Sequence, residues 1–233
     1  PEPITHAPDS DDEINEKMNA AAAMLRSGNS AEVIDMIEGA YLERNSGRAR
    51  PYKILGAAYA LENRIEEAIS SFTDGLNLDN ADAPGWYNLG RLHLRNGHKD
   101  AGATCFTAAQ MVDSDHVPSA RSLVEYYRET EDRVRLIPLW IHLSTLEDLG
   151  EGASELASIL VEIGEGENLM IETHPELPIM IPEGPDLARK AVDLLGSEES
   201  EMKARALSLT GEHTEAIRIS KVILESNPTE SKG

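Results

Sequence analysis

The feature that most constrains this chain is one sentence written twice, 34 residues apart. Tyr52-Lys-Ile-Leu55-Gly56-Ala-Ala-Tyr59 is answered by Trp86-Tyr-Asn-Leu89-Gly90-Arg-Leu-His93. Later in each copy, Ala68-x3-Phe72 is answered by Gly102-x3-Phe106, and Leu78 by Val112. Large residues three and four apart place one apolar stripe along a helix. Gly56 and Gly90 sit beside that stripe without a Cβ, so a second helix can approach closely there. Glu62-Asn63 and Asn96-Gly97 suit a turn, because Asn and Gly accept the left-handed conformation that ends helices. Each copy therefore predicts an antiparallel helix pair. The second helices bury Ala68, Phe72 and Leu76 in one copy, and Gly102, Phe106 and Ala109 in the other. A single pair leaves one apolar face uncovered, so pairs must stack.

This pattern resembles the tetratricopeptide repeat (TPR): an aromatic residue, x2, Leu-Gly, x2, Tyr, then Ala-x3-Phe. His93 stands where that pattern has Tyr, Gly102 where it has Ala, and Asn80 and Ser114 where it has Pro. The resemblance implies an all-α fold, a right-handed α-solenoid of helix hairpins. With 233 residues the chain has room for about five to six units of this kind.

Taken in order, residues 1–10 hold three prolines and little apolar periodicity and are expected to be disordered. Repeat-like units are expected at 11–44, 49–82, 83–116 and 117–147. In the first, Asp11, Asp12 and Glu13 place negative charge at a helix start, where the dipole favours it. Ile14, Met18, Ala21 or Ala22 and Leu25 form its stripe, and Ser30 is expected to cap a second helix burying Val33, Ile34, Ile37 and Tyr41. In the fourth, Pro138 means that the second helix either begins near Ile137 or is kinked. A C-terminal helical region is expected over 151–230, with Ala153–Ile163 and Pro185–Leu195 as partners around an insertion at 164–184. That insertion carries Leu169, Met170, Ile171, Leu177, Ile179, Met180 and Ile181, with a turn at Thr173-His174-Pro175-Glu176. So many apolar side chains predict an ordered segment packed on the repeats of its own chain or of a neighbouring subunit.

Charge narrows the partners. There are 42 acidic and 21 basic residues, for a formal charge of −21. Twelve of the basic residues fall within 44–135, so the flanks are strongly acidic and would repel nucleic acid. Aromatic residues make up 4 % and alternating β-branched runs are nearly absent, which disfavours an all-β fold. The single cysteine, Cys105, allows no intramolecular disulfide, and its place beside Phe106 predicts a buried small hydrophobe. No apolar run reaches the ~18 residues of a membrane span. No signal-peptide pattern opens the chain, although it starts at Pro1 and an upstream targeting or anchoring segment stays compatible with that start. The compartment is not fixed, with a cytoplasmic location slightly favoured, and a homo-oligomer is left open.

No catalytic constellation emerges. The seven histidines are scattered, His93 occupies a packing position, and Gly164-Glu-Gly166 lacks the third glycine of a dinucleotide site. Neither metal nor cofactor is expected. The TPR resemblance instead implies a concave groove lined by the first helices, at positions 2, 5, 9, 12 and 13 of each repeat. Those positions hold Arg50, Lys53, Ala57, Ala60 and Leu61; then Pro84, Tyr87, Arg91, Leu94 and Arg95, with Asn88 alongside; then Pro118, Arg121, Glu125, Arg128 and Glu129. The candidate binding residues are Arg50, Lys53, Tyr87, Asn88, Arg91, Arg95, Arg121 and Arg128, offering directed donors to carboxylates and an aromatic anchor. The clamp by which some TPR proteins hold the C-terminal carboxylate of chaperones is matched only at Lys53 and Asn88; Ala57, Pro118 and Ser122 depart from it. The expectation is a non-enzymatic adaptor for an extended, acidic protein segment. Its rivals are a regulatory or substrate-positioning domain of a larger enzyme, such as a transferase, and an assembly factor of a secretion, pilus or envelope machine.

Overall fold

In the computed structural model, residues 9–150, 152–165, 174–179 and 185–226 are described. They contain thirteen helices and no strand: α1 (Asp11–Arg26), α2 (Ser30–Ile37), α3 (Ala40–Arg44), α4 (Ala49–Leu61), α5 (Ile65–Leu78), α6 (Ala83–Arg95), α7 (Lys99–Val112), α8 (Val117–Glu129), α9 (Arg133–Leu146), α10 (Gly152–Gly164), α11 (Pro185–Leu195), α12 (Glu201–Leu209) and α13 (His213–Ser226).

The period of the sequence reappears in the backbone. Helices α4, α6 and α8 are 13 residues long, and α5, α7 and α9 are 14. Between the members of each pair, Asn63, Gly97 and Glu131 adopt positive φ values of 58°, 81° and 57°. The amides that follow, of Arg64, His98 and Asp132, donate back five residues to the carbonyls of Tyr59, His93 and Tyr127, each at 2.9 Å. This is the hydrogen bonding of a Schellman helix end, which satisfies carbonyls the helix leaves orphaned and reverses the chain. The same device closes α12, where Gly211 has φ 83° and the Glu212 amide donates to the Leu207 carbonyl. Gly adopts this conformation most readily and Asn at a modest cost; Glu131 does so under the control of its hairpin.

The chain divides into two compact units, residues 1–126 and 127–233. In the first, α4 pairs with α5 and α6 with α7, α5 packs on α6, and α1 and α2 pack on α4. One apolar core runs from Ile14 and Met18 through Leu55, Tyr59, Phe72 and Leu76 to Leu89 and Cys105. Within the second, α10 pairs with α11 and α12 with α13, and α11 packs on α12. Ala204, Leu207, Ala216 and Ile219 are buried between that last pair. Helix α9 runs through Pro138 rather than starting at it, with Asp132 capping its N-terminus through the Arg135 amide at 3.2 Å. The missing N–H of Pro138 would have met the carbonyl of Val134, a residue 47 % exposed.

Three local expectations are corrected or sharpened. The second helix of the first hairpin is not continuous to Tyr41. It stops at Ile37, and Gly39, at φ 74° and ψ −134°, turns the chain into the short α3. Asn29 rather than Ser30 holds the cap position of α2, without a side-chain cap; the Ser30 hydroxyl instead donates to Glu62. At the N-terminus, Ser10 and Glu13 form a reciprocal capping box on α1, and Asp9 pairs with Arg44 at 3.1 Å. Residues 1–8 lie outside the described residues.

The insertion is seen at its turn. His174 is 3 % exposed, and its Nδ1 accepts from the backbone amides of Glu176 and Leu177, both at 3.1 Å. Its own amide donates to the Ile179 carbonyl, and Leu177 and Ile179 are buried. Arg135 holds Glu176 from outside at 2.8 Å. Leu169, Met170, Ile171, Met180 and Ile181 lie outside the described residues.

Candidate functional site

Position 9 of the second repeat is Ala57 and position 12 is Ala60, where the third repeat has Arg91 and Leu94. Two small side chains in the middle of a row of first helices leave a hole, and the first unit has a cleft of about 410 Å³ there. Leu25 and Arg26 of α1 form one side. Ala57, Ala60 and Leu61 of α4 lie in the middle, with Phe72 of α5 beneath. Asn88, Arg91, Leu92 and Arg95 of α6 form the other side. Phe72 and Leu92 are 4 % and 3 % exposed, so the floor is the surface of the core, whereas Leu61 on the rim is 60 % exposed.

The charges of this cleft are not compensated locally. Among the described residues, no carboxylate lines it. Arg95 is held by neutral acceptors, with Nη2 donating to Asn63 Oδ1 at 2.8 Å and Nη1 to the Ala60 carbonyl at 3.4 Å. The left-handed turn at Asn63 thus both ends α4 and orients an arginine of α6. Arg91 stands 5.8 Å from the ring of Tyr87, and neither it nor Arg26 makes an ion pair among the described residues. Three guanidiniums on an apolar cleft, in a chain with twice as many acids as bases, can donate charge-assisted hydrogen bonds to an incoming carboxylate.

The other candidate cations are placed differently. Lys53 makes 2.9 Å ion pairs with Asp79 and Asp82, and its side chain is 15 % exposed. Burial opposes its charge, but the hydrogen bonds to the two carboxylates outweigh that and raise its pKa. Arg50 is tied to Asn15 and Asn19 of α1. Tyr87 is half-buried, with its ring centroid 5.6 Å from that of Phe106 and 5.5 Å from that of His116. Arg121 is on the exposed side of α8. Arg128 belongs to the second unit, where it bonds Glu155 at 2.6 Å and lies 5.2 Å from the Trp140 ring. Of the candidate residues, the cleft brings together Asn88, Arg91 and Arg95.

Arg26 was not among the candidates. Its signal is in the sequence: it precedes Ala60 by 34 residues, so it holds position 12 one repeat upstream. Setting the first unit at 11–44, four residues out of register with the next, hides it.

Elsewhere the chemistry is quiet. Burial pushes the Cys105 thiol up to about 11, as suits a core residue. His93 is half-buried with Nδ1 unpartnered, and burial followed by the charge of His98 lowers its pKa. No group of three metal-ligating side chains occurs among the described residues, and no described helix is long and apolar enough to cross a membrane.

In the first unit, helix hairpins repeat every 34 residues, are closed by the same turn and share one core, as in a helical-repeat solenoid. Comparison with known proteins makes that class specific. Residues 83–116 match the family model of the tetratricopeptide repeat. The fold is similar to that of YrrB, described as a TPR protein with an unusual peptide-binding site, at 13 % identity and a TM-score of 0.53, covering 88 % of this chain and 90 % of that one. It is also similar to a MamA crystal structure, at 15 % identity and a TM-score of 0.50, covering 94 % and 93 %. PilF of Pseudomonas aeruginosa gives 13 % and 0.52, covering 92 % and 91 %. No curated protein sequence matches significantly. The chain thus carries a tetratricopeptide repeat at residues 83–116 and shares the all-α helical-repeat fold of these proteins.

Proposed function

We propose that this protein is a non-enzymatic adaptor that holds an extended, acidic segment of another protein in the cleft between α1, α4 and α6. One observation carries the reading: Arg26, Arg91 and Arg95 line an apolar cleft that has no carboxylate among the described residues, although 42 acidic residues are present in the chain. Charges satisfied within the fold look different, as Lys53 does between Asp79 and Asp82. Asn88 adds an exposed amide, and Asn63 keeps Arg95 oriented before any ligand arrives, which lowers the ordering cost of binding. A chain of net charge −21 selects against nucleic acid, so the acidic ligand is a protein segment.

The test uses a fluorescein-labelled hexaglutamate peptide and fluorescence anisotropy at two salt concentrations. Affinity should fall with salt in the parent protein and be lost in Arg26→Glu/Arg91→Glu with helix content unchanged. Equal binding by parent and variant would return these arginines to the role of ordinary surface charges.

A further inference from the structure

The arginines explain an acidic ligand but not the shape of the site. A purely polyanionic partner needs only a basic surface. Here the middle of the cleft is a hole whose floor is core: Phe72 and Leu92, with Leu25, Ala57 and Ala60 around it and Leu61 standing exposed on its rim. The hole exists because Ala57 and Ala60 are small where the next repeat carries Arg91 and Leu94. The charges are arranged around it, Arg26 coming from α1 and Arg91 and Arg95 from α6, with the alanines of α4 between. We infer that the cleft recognises a composite motif: one large apolar side chain, of Leu or Phe size, flanked on both sides in the sequence by carboxylates. The apolar side chain enters the hole over Ala57 and Ala60, and its flanking acids meet Arg26 on one side and Arg91 and Arg95 on the other. This rests on the adaptor reading above and adds what the partner must contain.

The physical division of labour follows from the surroundings. The exposed guanidiniums act through a screened field that steers any acidic segment and weakens with salt. Discrimination comes from the hole. An apolar side chain leaving water for it removes both its own surface and that of Leu61 and the floor, an effect that salt does not screen. A small or polar residue at the same place leaves the hole wet and gains only the charge contribution.

Two labelled probes separate the two contributions: Glu-Glu-Leu-Glu-Glu and Glu-Glu-Ser-Glu-Glu. Anisotropy titration should give the leucine peptide an advantage of about tenfold or more, since burying such a side chain is favourable by at least that factor. Ala57→Leu and Ala60→Leu fill the hole from a half-buried helix surface with a good helix former. Each should reduce the ratio of leucine-peptide to serine-peptide affinity severalfold. Arg26→Glu/Arg91→Glu should weaken both peptides together. Equal binding of the two peptides by the parent protein overturns the composite motif and leaves the acidic-ligand reading standing. A leucine advantage that survives both filling variants places the apolar contact elsewhere and also overturns it. Failure of both peptides to bind in a salt-dependent way removes both readings.

Discussion

Replacing Gly90 by alanine tests the packing on which the repeats depend. A Cβ at that position would stand 2.5 Å from Cε1 and 2.8 Å from Cδ1 of Phe106, and 3.0 Å from the Gly102 carbonyl oxygen. Carbon atoms rest about 3.5–4.0 Å apart, so the Phe106 ring would have to retreat by roughly 1 Å. It has nowhere to go, being 1 % exposed, and the carbonyl belongs to the α7 backbone. Moving α7 away would open the same crossing at Gly102, whose own Cβ would lie 3.1 Å from the Gly90 carbonyl. In an open helix the exchange of Gly for Ala stabilises by roughly 0.5–1 kcal/mol. Overpacking a closed core costs about 1–3 kcal/mol. The two effects have opposite signs, and the geometry says that the clash wins. Gly90→Ala should therefore lose about 1–2 kcal/mol, lowering Tm by about 2–4 °C per kcal/mol in a chain of this size. Gly47→Ala is the control, since nothing lies within 4 Å of its added Cβ. Thermal and urea unfolding followed by circular dichroism read the result. A Gly90→Ala protein as stable as the parent, or more so, would refute the close crossing of α6 and α7.

Two further outcomes follow from buried titratable groups. Burial, the largest influence on His174, holds its pKa below the ordinary value; Glu176 and Asp132 pull it up, and Arg135 pushes it down. The unfolded chain therefore takes up a proton first as pH falls through about 6.5, and stability that is full above that value declines below it. The His174→Gln protein should show a flatter change in its urea midpoint between about pH 7.5 and about pH 5.5 than the parent; identical pH dependence in the two would count against the buried, amide-accepting imidazole. Cys105, with its thiol pushed up to about 11 and 7 % exposed, should react with Ellman's reagent far more slowly in the native protein than in denaturant. Rapid reaction of the native protein would mean that the α7 core opens readily.

What was legible in the sequence is what depends on neighbours along the chain. The spacing of Tyr52, Leu55, Gly56 and Tyr59 and its repetition at Trp86, Leu89, Gly90 and His93 determined the hairpins, because helix faces and turns follow from residues three, four and 34 apart. The burial of Cys105 beside Phe106 follows from the same register. Other features depend on groups far apart in sequence, and only the tertiary structure decided them. Lys53 and Arg91 look alike as basic residues at groove positions, yet among the described residues the fold pairs the first with Asp79 and Asp82 and the second with no carboxylate. Arg26 joins Arg91 across 65 positions because α1 packs on α4. The break at Gly39 was equally hidden, since a glycine permits the left-handed region without requiring it. Local periodicity determines which residues face the core, whereas the charge left over at a surface is a sum over everything the fold brings within reach.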